Sequence, residues 1–136
     1  MAIQPIKFSK SCIKTLTAVE ADEARSHQHE FQGVAPLKEM FGYAKLTTKA
    51  TFSIRGSSDS YSADLTWYDA REGNPNRSAE YRLYFQSSPV MEAAQEGDVI
   101  VIGYDKNNNI HCELIQSQRL TNQNTQWQIS QNTVHY

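Results

Sequence analysis

The sequence lacks long apolar runs and a recognisable leader. No stretch approaches the roughly 20 apolar residues of a membrane span, and the start, MAIQPIKFSK, has neither the apolar core nor the cleavage site of a signal peptide. These absences predict an intracellular, cytoplasmic protein with no membrane partner. The 136 residues, 39% hydrophobic and 21% charged, fit one soluble globular domain.

Catalytic and metal-binding motifs are also missing. The chain has no G-x-S-x-G, Walker loop or H-E-x-x-H motif. It has no Glu-x-Lys or Asp-x-Lys, the spacing of a magnesium-dependent nuclease, and Asp69-x-Arg71 is a poor substitute. His27-x-His29 has no further ligands at metal-binding spacing. We therefore expect a chain that is not an enzyme by itself and needs no cofactor or metal.

Cysteine is scarce as well. Cys12 and Cys112 lie far apart, each in a strand-like run. They could pair, but buried free thiols in a reducing compartment are the favoured interpretation.

Period-two patterns with β-branched and aromatic residues predict a mainly β fold of six or seven strands. The strands are expected at Cys12–Val19, Ala50–Ile54, Ala63–Tyr68, Tyr81–Phe85, Val99–Tyr104 and Ile110–Ile115. Short helices are expected within Ala35–Phe41 and Ser88–Gln95. Glu20–Glu30 has no hydrophobic side chain larger than alanine and is interpreted as a loop outside the core, although its composition would tolerate a short helix. The polar tail Gln116–Tyr136 is either an added edge strand or a linker. With no βαβ rhythm, the expected architecture is a mainly antiparallel barrel or sandwich.

The net charge of −2 argues against a protein that binds polyanions over its whole surface. Residues 1–55 hold eight Lys or Arg and five Asp or Glu, so they are basic. Residues 87–116 hold one Lys and five Asp or Glu, so they are acidic. If these parts lie on opposite faces, the molecule can approach DNA from one side only. The alternative is an ordinary solvated surface of mixed sign.

Two aromatic, strand-like runs flank a polar loop within Trp67–Phe85. Its arginine and asparagine side chains are of the types that pair bidentately with guanine and adenine or bind phosphate. Asp69 could support Arg71 or accept from a cytosine amino group. Alternatively, this is a polar hairpin whose arginines pair with Asp69, Glu72 and Glu80. The candidate DNA-binding residues of this segment are Asp69, Arg71, Asn74, Asn76, Arg77, Ser78 and Arg82.

A second candidate segment, Glu20–Glu30, mixes acceptors with basic and amide side chains. Its acidic residues suit cytosine amino groups and weaken attraction to phosphate, so it fits base reading better than backbone binding. The alternative is a solvated loop or a helix cap. The candidate residues here are Glu20, Asp22, Arg25, Ser26, His27 and Gln28, with Lys14 nearby as a phosphate contact.

Together the two segments resemble the N-terminal effector domain of EcoRII-type restriction endonucleases. In Lys14–Gln28 a KxL(S/T)A strand leads into a polar loop that ends in His27-Gln28, and a short helix follows at Leu37–Phe41. The likeness resumes at Ala63–Arg71, with Trp67-Tyr68-Asp69-Ala70-Arg71, and places Arg77 and Arg82 near the basic residues of the family's second arm. It covers most of residues 12–116. The first arm is acidic here where EcoRII is glycine-rich.

The resemblance implies a DNA-binding pseudobarrel, a fold shared with a class of plant transcription factors. Two loops would grip the major groove of a CC(A/T)GG-type double-stranded site: an N-arm, Glu20–Gln28, and a C-arm, Asp69–Arg82. It also implies a linked C-terminal nuclease domain, the only part for which magnesium is expected. Residues 1–116 would then form the DNA-binding domain, and residues 117–136 a tail or linker. The rival hypothesis is a β-barrel module that binds a protein or a small ligand without binding DNA.

Overall fold

A computed structural model describes residues 6–21, 29–31, 34–116 and 127–130. The described part is mainly β, as predicted. Its strands are β1 (Phe8–Thr15), β2 (Glu30–Phe31), β3 (Leu46–Ile54), β4 (Ser60–Asp69), β5 (Tyr81–Phe85), β6 (Val99–Asp105), β7 (Ile110–Ile115) and β8 (Gln128–Ser130). The short helices are a 3-10 turn at Ala35–Leu37, α1 (Lys38–Phe41) and α2 (Pro89–Glu92). Residues 18–21 are also helical.

The strands form one curled sheet, a half-barrel, in the order β2-β5-β4-β3-β7-β6-β1-β8. Neighbours pair antiparallel except β3 and β7, which run parallel. The two edge strands approach each other through side chains, since the ring of Phe31 in β2 meets that of Trp127, just before β8, at 5.8 Å. The curvature thus brings the first and last strands of the sheet together around the core, as a pseudobarrel requires.

Alternate side chains along the strands point to the concave face of the curled sheet and form the core. Trp67, Leu65, Leu83 and Phe85 point inward from β4 and β5 and are almost completely buried. Central strands β6 and β7 contribute apolar side chains in register, with Ile102 opposite Cys112. This core is what fixes the register of β4 and β5, because a shift of one residue would turn these side chains into solvent.

Both cysteines are buried free thiols, as expected. Cys12 and Cys112 each lie opposite Ile102 on the core side, on strands either side of β6. Burial and the charge of Glu39 raise the pKa of Cys12 to about 11, and burial raises the pKa of Cys112 as well. Both thiols are therefore protonated at neutral pH and act as small apolar side chains.

The sequence patterns located α1 and α2, although they missed the helical turn at residues 18–21. Ser88 caps α2 by accepting a hydrogen bond from the Met91 N–H at 3.3 Å, and Pro89 occupies its first turn. Gly42 ends α1 with a φ of 79°, in the left-handed region that glycine enters at little cost.

The predicted first strand, Cys12–Val19, is wrong at its C-terminal end. β1 stops at Thr15, because Thr17 and Glu20 form a capping box that begins a helical turn. The Thr17 N–H donates to Glu20 Oε1 at 3.0 Å, and the Glu20 N–H donates to Thr17 Oγ1 at 3.3 Å. The prediction that Glu20–Glu30 stays out of the core is wrong at both ends, since Glu20 and His29 are buried and Glu30 begins β2.

The polar tail contributes at least an edge strand. Residues 128–130 pair antiparallel with β1, with Ser130 opposite Ser11, and Trp127 is buried. The domain boundary predicted at residue 116 therefore leaves out a strand of the sheet.

Candidate nucleic-acid interface

The loop between β4 and β5 is the predicted C-arm, and its neck is closed by Asp69. The Asp69 carboxylate accepts hydrogen bonds from the Arg71 N–H at 2.9 Å and the Glu80 N–H at 2.8 Å through one oxygen. The Ala70 N–H also donates to the Glu80 carbonyl at 2.8 Å. These bonds hold the two ends of the loop side by side, so the loop begins and ends at fixed points.

Successive turns shape the tip. The Asn74 N–H donates to the Arg71 carbonyl, and the Arg77 N–H donates to the Asn74 carbonyl. The Asn74 side chain accepts from the Asn76 N–H at 3.1 Å, which is an Asx turn. Gly73 has a φ of 83°, which a residue with a side chain adopts only with strain. Asn74 therefore shapes the loop with its side-chain oxygen.

An aromatic stack supports the base of the loop. Tyr81, the first residue of β5, lies parallel to buried Trp67 at 4.9 Å between ring centroids. The Tyr81 hydroxyl donates to the Tyr43 carbonyl at 2.8 Å, and the Trp67 N–H donates to the Gly42 carbonyl at 3.0 Å. The ammonium of Lys38 lies 5.0 Å from the Tyr81 ring centroid. Four segments of the chain thus meet beneath the loop, which makes its platform rigid.

The arginines at the neck are paired with acidic residues. Glu80 Oε1 binds Arg71 at 3.0 Å, and Glu80 Oε2 binds Arg82 at 2.8 Å. Hydrogen bonding by Arg82, with the charge of Arg71, holds the pKa of Glu80 below its usual range. The bond to Glu80, with the charge of Glu30, raises the pKa of Arg82 further. The pairing with Glu80 that the hairpin alternative expects is therefore present.

The tip itself is open to solvent. Asn76, Arg77 and Ser78 are exposed, and the Arg77 side chain forms no ion pair with any residue in the described parts of the chain. An arginine held at a loop tip between two ordered strands has five donors available to an external partner. Of the predicted C-arm residues, these three are the ones placed to meet a ligand without first breaking an internal bond.

The outward face of β4 and β5 adjoins the C-arm. Tyr68 and Arg82 are directly opposite each other on this face, and Tyr84 follows Arg82 by two residues. Glu30, where the chain enters β2, lies opposite Tyr84 and accepts from the Tyr68 hydroxyl at 2.9 Å. The C-arm returns to the sheet at Tyr81, at the end of β5 opposite the one where Phe85 donates to the His29 carbonyl.

Lys14 and Glu20 do not belong to an exposed interface, and their assignment as DNA contacts is wrong for this structure. They are 3% and 1% exposed and form a salt bridge of 2.8 Å with each other. The Lys14 ammonium also lies 5.7 Å from the centroid of the Trp127 ring. The helix-cap alternative is the one that the structure supports for Glu20. The remaining N-arm candidates, Asp22, Arg25, Ser26, His27 and Gln28, lie outside the described residues.

Glu80 was anticipated only in the hairpin alternative, and Glu30 and Tyr68 were missed as members of the site. Their contacts join residues of different strands or of the two ends of the loop, and no spacing in the sequence predicts such pairs. The capping box was detectable, because Thr17-Ala18-Val19-Glu20 has the T-x-x-E spacing of a helix start.

Within the described residues, no group of three or more His, Cys, Asp or Glu side chains is arranged to hold a metal ion. No helix in the described part of the chain is long and apolar enough to cross a membrane.

The fold and the loop thus define a mainly β protein with an ordered, arginine-bearing loop at one end of a two-strand face. Comparisons with models of protein families, with curated proteins and with solved structures find no match to this chain.

Proposed function

We propose that this chain binds double-stranded DNA sequence-specifically, with the C-arm and the N-arm in the major groove. The observation that carries the proposal is the C-arm tip, where Arg77, Asn76 and Ser78 are exposed on a loop whose neck and base are fixed. A guanidinium positioned in this way can pair bidentately with a guanine edge at a low cost in ordering entropy.

The outward face of β4 and β5, next to the C-arm, supports the same function. It presents Tyr68, Arg82 and Tyr84, which suit contacts to sugar and phosphate.

The resemblance to EcoRII-type effector domains supplies the finer proposals. The target is a CC(A/T)GG-type site, and the chain serves as the specificity domain of a restriction endonuclease in a prokaryotic cytoplasm. Cleavage belongs to a covalently linked C-terminal nuclease domain that uses magnesium, and this chain contributes neither catalysis nor a cofactor site.

A binding titration tests the proposal. A CC(A/T)GG duplex and a scrambled duplex of equal length are titrated with the protein at several salt concentrations. We expect preference for the first duplex and a linear fall of log affinity with log salt, with a slope of about −0.9 for each phosphate contact. Binding to neither duplex would favour the protein- or small-ligand-binding alternative.

Arg77→Ala tests the C-arm. Loss of a base-reading arginine should cost about 1–3 kcal/mol on the specific duplex and relax the preference between the duplexes. Lys106→Ala removes an equally exposed positive charge from the turn between β6 and β7, and should change affinity by less than about twofold. Unchanged affinity and preference in Arg77→Ala would exclude this arm as the reading element.

A further inference from the structure

Glu80 occupies a position in which it competes with any anion for two arginines at once. Its two oxygens bind different guanidinium groups, Arg71 at 3.0 Å and Arg82 at 2.8 Å. Its backbone is fixed as well, because its N–H donates to Asp69 and its carbonyl accepts from Ala70. The carboxylate is therefore held between the arginines by the neck of the loop.

A carboxylate and a DNA phosphate use the same donors of an arginine, the N–H groups of the guanidinium plane. While Glu80 holds Arg71 and Arg82, a phosphate that approaches the neck must displace it or accept fewer hydrogen bonds. The tip residue Arg77 is under no such restriction, since it forms no ion pair with any described residue. The loop thus separates an available arginine at its tip from two occupied arginines at its neck.

We propose that Glu80 is a specificity-determining residue that withholds Arg71 and Arg82 from the phosphates of non-cognate DNA. On the cognate site, base contacts by the tip bring the neck close to the DNA backbone, and the phosphates then replace the carboxylate. On other sequences these base contacts are absent, and the two arginines stay with Glu80. The inference rests on the proposed function and adds a mechanism of discrimination to it.

Arg82 links Glu80 to the strand that follows the N-arm in sequence. Its guanidinium also lies 3.9 Å from Glu30, which receives the Tyr68 hydroxyl bond and begins the strand that follows the N-arm. The displacement of Glu80 therefore changes the contacts of a residue that also lies beside Glu30. We therefore expect DNA binding by the C-arm to change the contacts of Glu30, where the chain enters β2.

The variant Glu80→Gln tests the inference, with Glu72→Gln as the matched control. Both remove one negative charge from the same loop, but Glu72 is exposed and forms no salt bridge with the described residues. Affinities for the CC(A/T)GG duplex and the scrambled duplex are measured over a range of salt, and thermal unfolding shows that each variant is folded. Glu80→Asp, which keeps the charge but shortens the side chain, serves as a second variant.

We expect Glu80→Gln to bind the scrambled duplex about 3- to 30-fold more tightly than wild type, which corresponds to release from two partly exposed ion pairs. Its salt slope on that duplex should steepen by about 1 to 2, one for each freed phosphate contact. Its preference for the cognate duplex should fall. Glu72→Gln should change both affinities by less than about twofold, and Glu80→Asp should lie between Glu80→Gln and wild type.

Identical behaviour of Glu80→Gln and Glu72→Gln would overturn the inference, because charge alone would then explain the effect. Weaker binding of folded Glu80→Gln to both duplexes would also overturn it, since Glu80 would then only position the arginines. If the wild type and every variant bind neither duplex, the proposed function fails instead, so the two failures are distinct.

Discussion

Replacement of Glu20 by glutamine separates the two roles of this buried side chain. Glutamine keeps an oxygen that can accept from the Thr17 N–H, so the capping box at the helix start can persist. It removes the negative charge that lies 2.8 Å from the Lys14 ammonium. The variant therefore measures what it costs to leave a buried lysine without the carboxylate beside it.

The expected loss is large. Removing one partner of a buried ion pair costs about 3–5 kcal/mol, because the remaining charge loses a carboxylate at contact distance in a medium of low polarity. The cap would contribute roughly 1 kcal/mol more if it were lost, but glutamine retains it. The contact of the ammonium with the Trp127 ring, 5.7 Å away, is present in both proteins and leaves the difference unchanged. We expect about 3 kcal/mol of destabilisation, a substantial fraction of the 5–15 kcal/mol typical of a domain.

Equilibrium unfolding in urea, followed by the fluorescence of Trp67 and Trp127, provides the measurement. Glu96→Gln, at an exposed position, is the control and should change the free energy of unfolding by less than about 0.5 kcal/mol. Adding Lys14→Met to Glu20→Gln removes the buried charge and should restore most of the loss. The reasoning is refuted if Glu20→Gln is as stable as the control, or if the double variant is less stable than the single one.

Two further predictions concern the sheet. Gly103→Ala should destabilise the fold by more than about 2 kcal/mol in the same assay, because a Cβ there would meet the Lys10 carbonyl and approach Phe8 at 2.6 Å; an unchanged midpoint would contradict this packing. Partial burial would raise the pKa of Asp105, but hydrogen bonds to its carboxylate from His111, Asn109 and Asn107 lower the pKa to about 2. Because the pKa of Asp105 is lowered in the folded state, its ionised carboxylate stabilises the fold at pH values above its ordinary pKa. As the pH falls from 4 to 2, up to about 2 kcal/mol of the free energy of unfolding should be lost. Asp105→Asn should flatten this acid dependence in unfolding measured against pH, and an unchanged profile would show that other carboxylates cause it.

The parts of the fold that follow from local pattern were predicted well. Tyr81–Phe85 is a strand with the predicted bounds, and the hairpin of β6 and β7 falls where the apolar runs and the asparagine-rich turn place it. In each case alternation or a turn signal within a few residues carries the information. The sheet class follows from the same signals, because no pattern of a long crossover helix stands between the predicted strands.

The misassigned parts depend on partners distant in the chain or on competing local signals. Lys14 looked like a surface cation because nothing in the strand pattern reveals that it faces the core side and meets Glu20. The pairing of Arg71 and Arg82 with Glu80 depends on how β4 and β5 bring the two ends of the loop together. Composition suggested this pairing as an alternative, but only the geometry decides which of the arginines are occupied and which one is available.

The pairing of β1 has a consequence for how the chain acquires its fold. β1 hydrogen-bonds to β6 and β8, with Ser11 opposite both Gly103 and Ser130, and to no other described strand. β1 is made before the other strands of this sheet and therefore waits for β6, about 90 residues later, before it can pair, while β3, β4 and β5 can already associate. Such long-range pairing slows folding, because a large loop must close before the contacts form. Truncated or nascent chains that stop short of β8 should thus expose an unpaired edge of β1, the kind of edge that promotes aggregation.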